Sequence, residues 1–159
     1  MPIAIRAEEA PERPAPAGFP PDLMAGLEGR VKRPLGEVFG LRNFGVNLAR
    51  IPPGGASSLR HAHARQDEFV FILEGNPVLV TDAGETPLGP GMCAGFPAGT
   101  GDAHQLRNPG PGDAVYLEIG DRTPGDVVSY PDNDLMVVPG PDGRARWLRK
   151  NGEPVFRDR

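Results

Sequence analysis

The chain has 159 residues, a formal charge of −4 and a pI near 5.4, which excludes the strongly basic face that nucleic-acid binding asks for. That length suits one domain with a single hydrophobic core. No apolar run approaches the ~20 residues of a membrane span, the stretch MPIAIRAEEAPERPAPAG holds no apolar signal core, and the lone Cys93 forms no internal disulfide, so a cytoplasmic protein is expected.

Gly 22 and Pro 20 together make about a quarter of the residues, a level that can mark disorder. Here they punctuate short runs of Val, Ile, Leu and Phe, which reads as many strands joined by tight turns. Residues 1–29 are expected to form a Pro-rich arm, loose unless it drapes over the body or a neighbouring subunit. A helical turn around Leu23, Met24 and Leu27 is limited by Gly26, Gly29 and Pro34. The remaining residues, 30–159, read as one domain whose regular part starts near Phe39. Strands are expected at 44–51, 58–63, 68–73, 77–81, 92–96, 103–107 and 114–119, with turns at PPGG, EGN, DAGE, GPG and NPGPG. Residues 134–138 and 144–148 flank PGPDG and read as a C-terminal hairpin.

The run FVFIL, Phe69 to Leu73, is apolar without alternation, so both of its faces require cover. With Glu68 inward, Val70 and Ile72 point into the core, while Phe69, Phe71 and Leu73 point out. An open aromatic face predicts a homodimer packed through this sheet, with the N-terminal arm as the competing cover.

All three histidines fall in one pattern. His61 and His63 alternate on an extended segment and so project from one face, and His104 follows in a Gly/Pro-rich stretch. With Glu68 they offer three imidazole nitrogens and one carboxylate. That set suits a divalent transition metal such as Zn, Fe, Mn or Ni, and does not suit Ca or Mg. Four protein ligands leave positions open for water or a small anionic, chelating substrate.

Gly55 to Gly75, GASSLRHAHARQDEFVFILEG, matches the first cupin motif, G-x5-H-x-H-x4-E-x6-G, at every defined position. Gly91 to Asn108, GMCAGFPAGTGDAHQLRN, is similar to the second, G-x5-P-x-G-x2-H-x3-N, except that four residues, TGDA, separate Gly99 from His104. The chain thus resembles a small single-domain bacterial cupin of an uncharacterised group. The resemblance implies an all-β fold, a double-stranded β-helix or jelly-roll barrel, with His61, His63, Glu68 and His104 in the four metal-ligand positions. It also implies one divalent metal ion per chain.

Fold and metal together do not specify a reaction. The reading is a metalloenzyme acting on a small oxygen-rich substrate such as a sugar or carboxylate, isomerase-like or dioxygenase-like; the alternative is a non-catalytic small-ligand-binding or sensory module. No catalytic residue is assigned. Asn47 shares a face with Ala49 and Ile51, and Arg50 with Val46 and Leu48, and parity alone does not say which face is internal. Tyr116 and Glu118 share a face and can serve as acid or base, although a core tyrosine with a satisfied hydroxyl and a rim salt bridge is the simpler expectation. Arg60 and Arg107 are out of phase with the neighbouring ligands, Arg65 is a weaker anion-binding candidate, Asp132 and Asp134 shape a turn, and Trp147 packs. Cys93 is expected to be a small buried hydrophobe.

Overall fold

The computed structural model describes residues 1–14 and 19–156. Residues 15–18 of the expected arm, and 157–159 at the end of the expected domain, lie outside the described residues. Strands in chain order are β1 (Arg13–Pro14), β2 (Val31–Pro34), β3 (Phe44–Ile51), β4 (Ala62–His63), β5 (Glu68–Glu74), β6 (Val78–Thr81) and β7 (Gly84–Pro87). They continue as β8 (Cys93–Phe96), β9 (Gln105–Arg107), β10 (Ala114–Asp121), β11 (Val128–Tyr130), β12 (Leu135–Pro139) and β13 (Ala145–Leu148). Helical structure among the described residues is confined to 3-10 turns at Ala7–Glu9 and Pro21–Leu23 and one four-residue helix, α1 (Leu35–Val38).

Every strand pair is antiparallel. One wall is a six-stranded sheet in the order β1-β2-β3-β10-β5-β8. The other is made of a four-stranded sheet, β13-β12-β11-β4, and a three-stranded sheet, β7-β6-β9. A bridge between His61 and His104 stitches these two smaller sheets together. The result is the expected double-stranded β-helix, with the barrel interior between the walls.

The period-2 rule decides what fills that interior. Ala49, Ile51, Val70, Ile72, Leu79, Leu88, Leu106, Ala114 and Tyr116 form one buried cluster. Burying a side chain of the size of Ile72, wholly inaccessible here, contributes roughly 1.5–3 kcal/mol. Val70 and Ile72 point in, whereas Phe69 and Leu73 remain 37% and 40% exposed on the outer face. The parity question on β3 resolves with Asn47, Ala49 and Ile51 inside, while Arg50 lies outside and pairs with Asp113 at 3.1 Å. The last glycine of the first motif is a steric necessity: Gly75 has φ +78°, and a Cβ there would lie 2.5 Å from the Asp113 carbonyl oxygen.

Several expectations need correction. Within the expected domain, strand structure begins at Val31 rather than near Phe39, because β2 pairs with β3 from Val31↔Arg50 to Pro34↔Asn47. The strand expected at 58–63 is reduced to β4 plus the His61 bridge. The DAGE turn stands at Asp82 and Ala83, but it leads into a strand that was not expected, β7, which pairs with β6 as a hairpin. Val128–Tyr130, where no strand was expected, is a strand between β12 and β4. Cys93, expected to be buried, is exposed because β8 is an edge strand and the residue falls on its outer face. The C-terminal hairpin stands as read, β12 with β13.

The described part of the arm lies against the body. Arg13 forks onto Glu37 at 3.1 and 2.5 Å, Arg33 reaches both the Ala10 carbonyl and Glu12, and Ala10 is 1% exposed.

Candidate metal centre

His61 and His63 come from one short segment and His104 from another, and pairing holds the two in register. The His61 N–H donates to the His104 carbonyl at 3.1 Å, and the His104 N–H donates to the His61 carbonyl at 2.8 Å. His63 lies on β4, opposite Val128 of β11. Glu68 opens β5 on the facing wall, opposite Gly120 and Phe96. The longer TGDA connection therefore does not displace His104. Gly99 to Asp102 are exposed, so the extra residues leave the barrel; Ala103 and His104 are buried again, and pairing resumes at His104. Phe96 stacks on the His104 ring with centroids 3.6 Å apart and planes 3° from parallel.

All three imidazoles turn Nε2 toward a single carboxylate oxygen. Glu68 Oε2 lies 2.8 Å from Nε2 of His104, 3.3 Å from that of His61 and 3.5 Å from that of His63. His61, Glu68 and His104 form the tight group, their ligand atoms within 4.8 Å of one another, and His63 stands at its edge. The other ring nitrogens of His61 and His63 assign their tautomers, whereas His104 Nδ1 is buried with no hydrogen-bond partner among the described residues. His61 Nδ1 is 2.9 Å from the Leu59 carbonyl, and His63 Nδ1 is 2.6 Å from Asp126 Oδ2. Both partners only accept, so the proton of each neutral ring sits on Nδ1 and the Nε2 lone pair faces inward.

Two lone pairs aimed at a carboxylate repel it unless a cation lies between them. Two ligand atoms held about 2.1 Å from one ion at right angles are about 3.0 Å apart. The 2.8–3.5 Å separations fall in that range, so these residues fit a divalent transition metal. Electrostatics agree. Burial alone would raise the Glu68 carboxyl, but the hydrogen bonds and charges of the surrounding imidazoles hold it well below the usual range. Burial likewise opposes protonation of His61, yet Glu68 and the Leu59 carbonyl raise it above its ordinary value. His104 is lowered by burial and by the neighbouring imidazoles, against the pull of Glu68. The group competes for one positive charge.

Beside it lies a cavity of about 230 Å³, smaller than the pockets that hold drug-sized ligands. Its wall includes Arg30, Lys32, Glu118, Tyr116, Tyr130 and Phe19. Glu118 Oε1 pairs with Lys32 Nζ and accepts from Asn47 Nδ2 at 3.1 Å. The expected rim salt bridge is thus inside the barrel, with Glu118 only 17% exposed. Tyr116 is a core tyrosine as expected, but its buried hydroxyl lacks a hydrogen-bond partner among the described residues. Burial raises it far above the ordinary phenol, and the Glu118 charge adds to that while Arg30 opposes it. The surface arginines do face away: Arg60 binds Asp132 and Asp82, Arg107 binds Glu85, and Arg65 is exposed. Asp134 caps the Lys150 N–H at 2.9 Å, and Trp147 packs on Phe19.

Sequence reasoning missed Arg30, Lys32, Asp126 and Tyr130. The alternation of Arg30 with Lys32 was available, but only the pairing of β2 turns that face inward.

The cupin domain family matches residues 47–120. A solved structure from Silicibacter pomeroyi, described as a sugar phosphate isomerase from a cupin superfamily, is 42% identical over 98% of both chains, with a TM-score of 0.89. This chain belongs to the cupin superfamily. A second neighbour, a candidate sugar phosphate isomerase from Acidithiobacillus ferrooxidans, is 33% identical over 81% of each chain, with a TM-score of 0.71. A polyketide cyclase from Streptomyces resistomycificus shares the cupin fold at 20% identity, covering 76% of this chain and 80% of its own, with a TM-score of 0.62. Among curated proteins none matches the chain. No helix among the described residues of this cupin is long and apolar enough to cross a membrane.

Proposed function

We propose that this cupin is a metal-dependent isomerase of a small hydroxy-carbonyl compound such as a sugar, with His61, His63, Glu68 and His104 holding one divalent transition-metal ion. The observation that carries the reading is the inward-facing set of Nε2 atoms around Glu68, opening onto a small polar cavity. The Silicibacter pomeroyi neighbour, similar over nearly the whole chain, is described as a sugar phosphate isomerase, and that likeness supports isomerase chemistry over oxygenation. A bound ion would supply Lewis acidity, polarising a carbonyl and acidifying the carbon–hydrogen bond beside it.

The chain supplies the rest. Glu118 has one oxygen fixed by Lys32 and Asn47, while its Oε2 has no hydrogen bond among the described residues. That oxygen takes the proton from the hydroxyl-bearing carbon next to the carbonyl and returns it to the former carbonyl carbon, while the hydroxyl proton passes from the second oxygen to the first, so the shuttle is redox-neutral. Phe19 and Tyr130, packed edge to face with centroids 5.9 Å apart, shield the cavity from water. The same reading includes a homodimer formed through the outer face of the six-stranded sheet, in the cytoplasm.

The test is solvent-hydrogen exchange. Metal-reconstituted protein is incubated in deuterated water with a panel of aldoses, ketoses and their phosphate esters, and deuterium at the carbon beside the carbonyl is followed by NMR. Exchange and interconversion are expected for at least one panel member, abolished in His61→Ala together with the bound metal and in Glu118→Gln with the metal retained. Fully metal-loaded protein that exchanges nothing across the panel sinks the isomerase reading.

A further inference from the structure

Arg30 precedes β2 and its side chain lines the cavity. It is 7% exposed, forms no ion pair among the described residues, and its Nε has no hydrogen-bond partner. Burying a guanidinium without a counter-charge is costly. Lys32, two residues on and on the same face, is matched by Glu118, so it does not need Glu68 as a partner, and Glu68 is claimed by the three imidazoles. The Tyr116 hydroxyl on the same wall is a second buried donor without a partner. The cavity thus presents donors in excess of its own acceptors.

Charge balance points the same way. The two cations and two carboxylates lining the cavity cancel, so a bound dication leaves the wall positive, offset in part by Asp126 behind His63. An anion carrying between one and two charges, the range of a phosphomonoester, offsets this excess. A tetrahedral group with several oxygens also uses more donors at once than a planar carboxylate, and a guanidinium fork matches such oxygens in pairs.

From this we infer that Arg30, with Lys32 and the Tyr116 hydroxyl, forms an oxyanion subsite that holds a phosphomonoester group of the substrate. The inference rests on the isomerase reading for the remainder of the substrate, but not for the subsite itself. The sugar end would then face the His61, His63, Glu68 and His104 group.

Inorganic phosphate is the probe, titrated calorimetrically into chelator-treated and metal-reconstituted protein, with glycolate as the carboxylate comparison and metal content measured in parallel. Wild type is expected to bind phosphate in both forms, more tightly with metal, and to prefer it to glycolate. Arg30→Gln is expected to weaken phosphate binding about ten- to a hundredfold with unchanged metal content, and Arg30→Lys to recover part of the loss. Lys32→Gln carries the same test should Arg30→Gln fail to fold, judged by its circular dichroism melt. Phosphate binding that is absent in wild type, unaltered in the folded variants or weaker than glycolate binding overturns the phosphate subsite. Protein that takes up no metal yet loses phosphate with Arg30 keeps the subsite and overturns the metal reading instead.

Discussion

Asp126 stands 63 positions from His63 in sequence, yet its carboxylate lies 2.6 Å from the His63 ring. It is also tied to the Arg65 N–H at 2.8 Å, and its side chain is only 9% exposed. Held from two sides, it fixes both the tautomer and the orientation of an imidazole at the edge of the His61, Glu68 and His104 group, which would make it a positioning residue for the proposed metal. Asp126→Ala is expected to lower metal affinity about ten- to a hundredfold, measured by competition with a chromogenic chelator, while Asp126→Asn, which retains an acceptor, recovers part of it. Affinity unchanged in Asp126→Ala would remove the positioning role. Nothing local in TPGDVV marks this aspartate, because its partner is reached only through the pairing of β11 with β4. The imidazoles and Glu68, by contrast, were legible because alternation on a strand is a local rule.

At the scale of elements, long strands announced themselves and short ones did not. Phe69 to Leu73 and Ala114 to Ile119 carry enough β-branched and aromatic residues to be read directly. VKRP and VSY do not: each is at most four residues, holds polar side chains on an exposed face or ends at proline, and gains its extended form from neighbours on both sides. Separate elements are also joined by charge. Arg60, with its side chain 17% exposed, receives Asp132 from the turn between β11 and β12 and Asp82 from the turn after β6. Both contacts with Asp132 are 2.8 Å long. The Arg60 hydrogen bonds hold Asp132 below the ordinary carboxylate value of 3.8. A carboxyl lowered in the folded state stabilises above its unfolded pKa and ceases to do so as pH falls through the folded one. Asp132 is 57% exposed, so solvent screening limits the effect to below about 1 kcal/mol. Urea unfolding of Asp132→Asn is therefore expected to show a small deficit at neutral pH that closes as the pH drops below 3.8. A deficit that persists unchanged in acid would assign it to packing instead.

The whole molecule has an uneven exterior. On the six-stranded sheet, Val46, Ile119 and Phe69 lie in register across three strands, as do Leu48, Leu117 and Phe71, giving an apolar outer face. The arm approaches one flank of it, where Ala7, Glu8 and Glu12 border Leu48, Leu73 and Leu117, and leaves Phe44 and Phe69 exposed. The proposed dimer interface would thus add to the cover that the arm gives rather than compete with it. Light scattering is expected to give a dimer at micromolar concentration, and Phe69→Glu on the outer face is expected to give a folded monomer. Wild-type protein that scatters as a monomer removes this interface.

The connection between Gly99 and His104 has a last consequence. Because His104 is anchored by reciprocal backbone bonds to His61, the polypeptide between the two anchors is a tether of adjustable length, extruded away from the ring it delivers. Insertions there extend into solvent without moving His104, whose backbone is pinned to His61. For protein engineering, that makes Thr100 and Gly101 a natural graft point, where new recognition sequence can be added while the chemistry behind it stays in place.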